Sequence, residues 1–135
     1  DSDPDYLSEG PNRVTDNFGV VGGGWGNVAG DNDPALFTGL GATVAGGVVN
    51  SATANSSTVG GGSGNQASAD FATIAGGINQ LASGEGSTVA GGSQNIAQAL
   101  QSTIGGGSFQ VATGSNATIA GSSSSCSRYA PGSAA

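Results

Sequence analysis

The apolar residues of this chain recur at even spacing. With the Val or Ile of each short apolar pair as position 0, it falls at Val21, Val44, Val59, Ile74, Val89, Ile104 and Ile119, and the last six are fifteen residues apart throughout. The first interval is 23, one period plus an eight-residue insert, DNDPALFT, at 31–38. Position −1 holds Thr43, Thr58, Thr73, Thr88, Thr103 and Thr118, with Val20 in the first turn. Positions +2 and +3 are Gly nearly throughout, +6 is an amide from Asn27 to Gln110, and +8 is Ala from Ala29 to Ala112. A fixed period of this kind marks units that each stack on the next.

The period predicts strands and corners. Paired glycines in every repeat each cost about 1 kcal/mol relative to Ala in a helix, whereas Thr-Val and Thr-Ile pairs suit a pleated strand. Each repeat therefore reads as a short strand at position 0, a Gly corner, a second short strand at Asn-x-Ala, and a second corner. The expected fold is all-β, a parallel β-solenoid (β-roll) of about seven 15-residue turns, rising about 4.8 Å per turn. Residues 1–18 read as an acidic N-terminal arm or leader and 19–122 as the solenoid with its inserted loop. Residues 123–135 read as a degenerate capping turn and Ser-rich tail, where the pattern decays to Ser125, Cys126 and Ser127.

Side-chain alternation assigns the faces. Val44, Val59, Ile74, Val89, Ile104 and Ile119 are expected inside, facing Ala52, Ala67, Ala82, Ala97 and Ala112. The amides Asn50, Asn65, Gln80, Asn95 and Gln110 share that interior and read as an amide-to-amide ladder. The Thr column points out. So does position +7, where Leu81, Ile96 and Val111 make an apolar stripe with Ile78 and Phe109 nearby. An interior this thin is expected to be marginal alone, so contacts with further copies, side by side or head to tail, are expected to stabilise it. The stripe is the expected lateral contact, and Tyr6, Leu7 and Phe18 of the arm are candidates for docking on a neighbour's open edge. Ordinary exposed apolar residues, or core under the opposite parity, are the other readings of the stripe.

Charge sharpens this picture. Seven of the nine acids lie within the first 33 residues, and beyond residue 34 only Asp70, Glu85 and Arg128 are charged. A net charge of −7 with two basic residues offers no footprint for nucleic acid or for an anionic membrane, and no 18-residue apolar run is present. The body of the chain is left with a surface of Ser, Thr, Asn and Gln that permits close self-association. Histidine is absent and Cys126 is the one cysteine, so no internal disulfide forms. An inert small residue, an intermolecular bridge or a reactive thiol are the readings for it. Asp70 and Glu85 stack at one repeat position as solvating corner acids without a cleft, and the periodic glycines lack the Lys of a phosphate-binding loop. No enzyme and no cofactor are expected. Asp31 and Asp33 are the only metal candidates, as hard oxygen ligands for Ca²⁺, against a plain solvated turn. Asn55 and Asn116 open N-glycosylation patterns that a Ser- and Thr-rich chain produces readily by chance.

The stretches STVGGGSGNQASADFATIAGG (57–77) and STVAGGSQNIAQALQSTIGGG (87–107) resemble the head repeats of trimeric autotransporter adhesins. The resemblance covers roughly 19–122 and implies a left-handed β-roll, three chains side by side, on a bacterial surface. The stalk and membrane barrel of that family are not recognisable within these 135 residues. An opening of DSDPDY without Met reads as a processed mature chain, in keeping with an extracellular or cell-surface location. The expected role is structural or adhesive: a solenoid that assembles with itself, as a homotrimer or a head-to-tail polymer, into a surface head or fibre. The alternatives are a phage or appendage fibre segment, and an ice-binding protein that uses the Thr column.

Overall fold

A computed structural model describes residues 10–33, 38–121 and the strand Tyr129–Ala130. The described backbone holds no helix and is all-β, wound as a parallel β-solenoid of about seven turns. One sheet stacks Arg13–Val14, Val28–Ala29, Ser51–Ala52, Gln66–Ala67, Leu81–Ala82, Ile96–Ala97, Val111–Ala112 and Tyr129–Ala130. The other stacks Val20–Val21, Thr43–Val44, Thr58–Val59, Thr73–Ile74, Thr88–Val89, Thr103–Ile104 and Thr118–Ile119. Single parallel bridges at position +4, from Trp25 through Val48, Ser63, Ile78 and Ser93 to Ser108, add a third narrow ladder.

The interior lies between the two sheets. Val44, Val59, Ile74, Val89 and Ile104 are fully buried against Ala52, Ala67, Ala82, Ala97 and Ala112, and Ile119 closes the column. Position −2 completes this core with Ala42, Ser57, Ala72, Ser87, Ser102 and Ala117, and the amides Asn50, Asn65, Gln80, Asn95 and Gln110 line its other side. Only small or β-branched apolar side chains fit, because the strands are two residues long and each corner turns back at once.

Along most of each turn the backbone N–H donates to the carbonyl one turn further on, as from Thr43 to Ser57 at 2.9 Å and from Val48 to Gly62 at 2.9 Å. Two corners reverse this direction. At position −3 residues such as Ser56, Phe71 and Gln101 have φ of 52°, 59° and 53°, and at +5 Val49, Asn79 and Phe109 have φ of 54°, 53° and 56°. That left-handed conformation flips the peptide, so their N–H groups point to the preceding turn: Ser56 donates to Leu40 at 2.8 Å and Gly64 to Val48 at 3.0 Å. Position +3 is left-handed as well, with φ of 88° at Gly62 and 94° at Gly92. A Cβ at Gly62 would overlap the carbonyl oxygen of Gly77 directly below it, whereas one at Gly76 would meet nothing within 4 Å. Only the second glycine of each pair is thus required by the coil.

The coil begins before residue 19. Arg13 pairs with Val28 and Val14 with Ala29, so part of the segment read as an arm is an initial half-turn. Asn12 heads the amide column, its Oδ1 accepting the Asn27 N–H at 3.0 Å. Phe18, expected on the arm, stands at the left-handed corner of the first turn with φ of 61°. The insert leaves the register intact, since Val28 still faces Ser51 and Val21 faces Val44 across it. At the far end Tyr129 and Ala130 pair with Val111 and Ala112, three residues beyond the Cys126 step that strict periodicity selects.

Candidate interaction surfaces

Solvent meets three long surfaces of the coil and the insert. On the first face the Thr column runs in register from Thr43 through Thr58, Thr73, Thr88 and Thr103 to Thr118. These side chains are half-buried by their stacked neighbours, Thr118 being exposed, and the exposed residue two along is Ala or Gly, as at Ala45, Gly60 and Ala90. Thr43 turns its hydroxyl to the Gly41 carbonyl at 3.4 Å. The face is uncharged.

The second surface is the edge that carries +4 and +5 and continues into +7. Here Ile78 is 54% exposed and Phe109 49%, with Val48 and Val49 exposed beside them. Leu81, Ile96 and Val111 on the adjoining sheet are half-buried, each covered by the rungs above and below. The stripe read from the sequence and its neighbours Ile78 and Phe109 therefore lie on one side of the coil. Val48, Val49 and the half-buried Trp25 belong to the same edge and were missed. Their columns mix Trp, Val, Ser and Ile at +4 and Gly, Val, Asn, Gln and Phe at +5, so no repeated letter draws attention to them; only counting fifteen in both directions aligns them.

The third surface is the opposite corner, at −4 and −3. Phe18, Phe71 and Leu100 are exposed there, but Asp70 and Glu85 interrupt them. Asp70 is a structural partner as well as a solvated acid: its carboxylate accepts the Asn55 N–H at 3.1 Å and the Asn55 Nδ2 at 3.3 Å. Asn55 in turn accepts the Leu40 N–H at 3.1 Å, which commits its amide to the corner.

The insert leaves from this same corner. Asp31 Oδ1 accepts the Asp33 N–H at 3.0 Å, and Asp16 Oδ2 accepts the Asp31 N–H at 2.5 Å. The Thr38 hydroxyl, then the Asp33 N–H, hold the exposed Asp31 carboxyl below its ordinary value. Hydrogen bonds to the chain thus engage the Asp31 carboxylate, one of the two acids expected for Ca²⁺, and among the described residues no three His, Cys, Asp or Glu side chains gather to hold a metal. Tyr6, Leu7, Cys126 and Arg128 lie outside the described residues. No helix among the described residues is long and apolar enough to cross a membrane.

Inside, the amide column differs from the expected amide-to-amide ladder. Asn50 Oδ1 accepts the backbone N–H of Asn65 at 3.0 Å, while Asn50 Nδ2 donates to the carbonyls of Gly46 and Gly62, both at 2.9 Å. Asn65 and Asn95 repeat this arrangement. An amide-to-amide bond occurs at the first step, from Asn27 Nδ2 to Asn12 Oδ1 at 3.1 Å. The reason is the reversed corner: after the left-handed +5 residue, the +6 N–H also points to the preceding turn, where the nearest acceptor is an amide oxygen. Gln80 keeps the backbone part of the pattern, its Oε1 accepting the Asn95 N–H at 2.8 Å, but the Nε2 at the end of its longer arm is buried without a partner. Set against known proteins, the chain matches no family model, no curated protein and no solved structure.

Proposed function

We propose that this chain is a non-enzymatic structural or adhesive solenoid that works outside the cell or at its surface by associating with copies of itself. The observation that carries this reading is the uncharged +4 and +5 edge, where Val48, Val49, Ile78 and Phe109 are exposed on three of its six turns among serines, glycines and amides. Exposed large apolar side chains gathered on one uncharged edge mark an interaction site. The thin interior argues in the same direction, since covering the edge adds the burial that a core of Val, Ile, Ala and amides supplies sparingly. The resemblance of the repeats to the heads of trimeric autotransporter adhesins supports a displayed, adhesive role. Sedimentation velocity and negative-stain images of the purified chain test the proposal: discrete oligomers or fibres are expected, and a monodisperse monomer at high concentration would refute it.

The Thr face supports a second reading. Six in-register hydroxyl-and-methyl steps beside exposed Ala and Gly form an array that could order water against ice. A thermal hysteresis measurement decides it, and the absence of hysteresis ends it.

A further inference from the structure

Resting on the self-association proposed above, the apolar edge carries a more specific inference about how two copies meet. The bridges at +4 put Trp25, Val48, Ser63, Ile78, Ser93 and Ser108 one above the next. When the column is reversed and laid against itself, Trp25 faces Ser108, Val48 faces Ser93, and Ile78 faces Ser63. Every large side chain then meets a serine. In the adjoining +5 column two of the three pairings agree, Phe109 falling opposite Gly26 and Asn79 opposite Gly64, while Val49 falls opposite Gln94.

A parallel neighbour in register would instead set Ile78 on Ile78, with Ser63 on Ser63 and Ser93 on Ser93 in the rungs on either side. Such an interface alternates crowded layers with gaps, and gaps forfeit the dispersion contacts that close packing supplies. A reversed neighbour places a knob over each hole, and the relation is reciprocal, as a twofold axis requires.

Charge selects the same edge for a second copy. No charged residue occupies +4 or +5. Asp70, Glu85 and the insert acids Asp31 and Asp33 all lie at the opposite corner, so two chains of net charge −7 meeting through +4 and +5 hold their described acids apart. Phe71 and Leu100 at the acidic corner offer no such route, with Asp70 and Glu85 beside them.

We infer that the partner of this edge is a second copy of the chain, antiparallel, about a twofold axis midway between the Ser63 and Ile78 rungs. Position +4 already accepts Trp, Val, Ile and Ser in this coil, so exchanges there leave the fold intact. Sedimentation equilibrium on the full chain provides the test. Ser63→Ile places a knob against Ile78 of the other copy, twice per dimer, and is expected to weaken association at least about tenfold by overpacking. Adding Ile78→Ser to it exchanges knob and hole and is expected to restore wild-type association to within about threefold. A Ser63→Ile chain that associates as well as wild type or better, or a wild-type trimer, overturns the antiparallel pairing and leaves the self-association reading standing. A wild-type monomer at high concentration removes both.

Discussion

Two corners of the same coil face the same problem and solve it differently. Each contains a left-handed residue, at −3 or at +5, that turns its own N–H and the next one away from the forward ladder. At the −3 corner the next N–H finds a carbonyl in its own turn: Ser57 donates to Ala54 at 3.1 Å, Ala72 to Ala69 at 3.0 Å and Ser102 to Ala99 at 3.1 Å. At the +5 corner the corresponding carbonyl belongs to the left-handed glycine at +3 and faces the preceding turn, where it takes the Val48 N–H and the Asn50 amide in the case of Gly62. The N–H at +6 must therefore reach an amide oxygen of the turn before. A local solution asks only for a small residue, and Ala and Ser alternate freely at −2. A solution shared between turns asks for a carboxamide in every turn, and the chain supplies Asn or Gln from Asn27 to Gln110.

Substitutions at matched positions break or sharpen this contrast. The largest effect is expected for Asn65→Ala, which leaves the Gln80 N–H without its acceptor and the Gly61 carbonyl without its donor. A loss of about 3 kcal/mol follows from stranding buried polar groups. Ser57→Ala at the other corner removes a hydroxyl that donates to the Ala54 carbonyl at 2.7 Å and accepts the part-buried Ala54 N–H at 3.2 Å, and should cost about 1 kcal/mol. Urea unfolding of both variants measures the difference, and equal losses would end the distinction between shared and local corners.

Glycine offers a second matched pair. Gly62→Ala drives a methyl group into the Gly77 carbonyl at a left-handed position and should cost about 3 kcal/mol through strain and displaced backbone. Gly76→Ala enters open space where φ is not left-handed and should be neutral or stabilise by about 0.5 kcal/mol through the unfolded chain. Thermal unfolding separates them. Next comes Gln80→Asn, which shortens an arm whose nitrogen is stranded and is expected to stabilise the coil by about 1 kcal/mol as the amide gains the Gly76 and Gly92 carbonyls. Hydrogen exchange should show the gain confined to adjacent turns, since turns contact only their neighbours.

The smallest effect concerns the insert. Asp31 has a folded pKa below its ordinary 3.8. The protonated form is therefore the less favoured one in the folded chain, so the contribution of Asp31 is present above the ordinary value and lost as pH falls through the lower, folded one. The insert is expected to hold its arrangement from neutral pH down to about that range, and Asp31→Asn to remove any acid transition there. Amide chemical shifts of Asp33 followed by NMR report both.

Much of the fold was legible because a solenoid repeats its physics. Val44, Val59 and Ile74 stand at the same letter of successive phrases, and once one turn is strand, corner, strand, corner, all are. The candidate surfaces were less legible. Leu81, Ile96 and Val111 could be found by alternation, but Val48 and Val49 follow a left-handed glycine, where alternation no longer predicts direction. Asn12 and Val14 lie fifteen residues before Asn27 and Ala29, yet the acids and prolines around them hide the half-turn.

Period and alternation, both linear properties of the chain, thus fixed by themselves that the backbone stacks in parallel turns with Val, Ile and Ala on matching rungs. Which glycine of each pair is indispensable, why the amides bind backbone and which corner reverses the ladder were decided only in the tertiary structure. Those features depend on the direction of individual N–H and C=O groups, set by φ at three positions per turn and by the turn stacked above or below. A string of letters records neither.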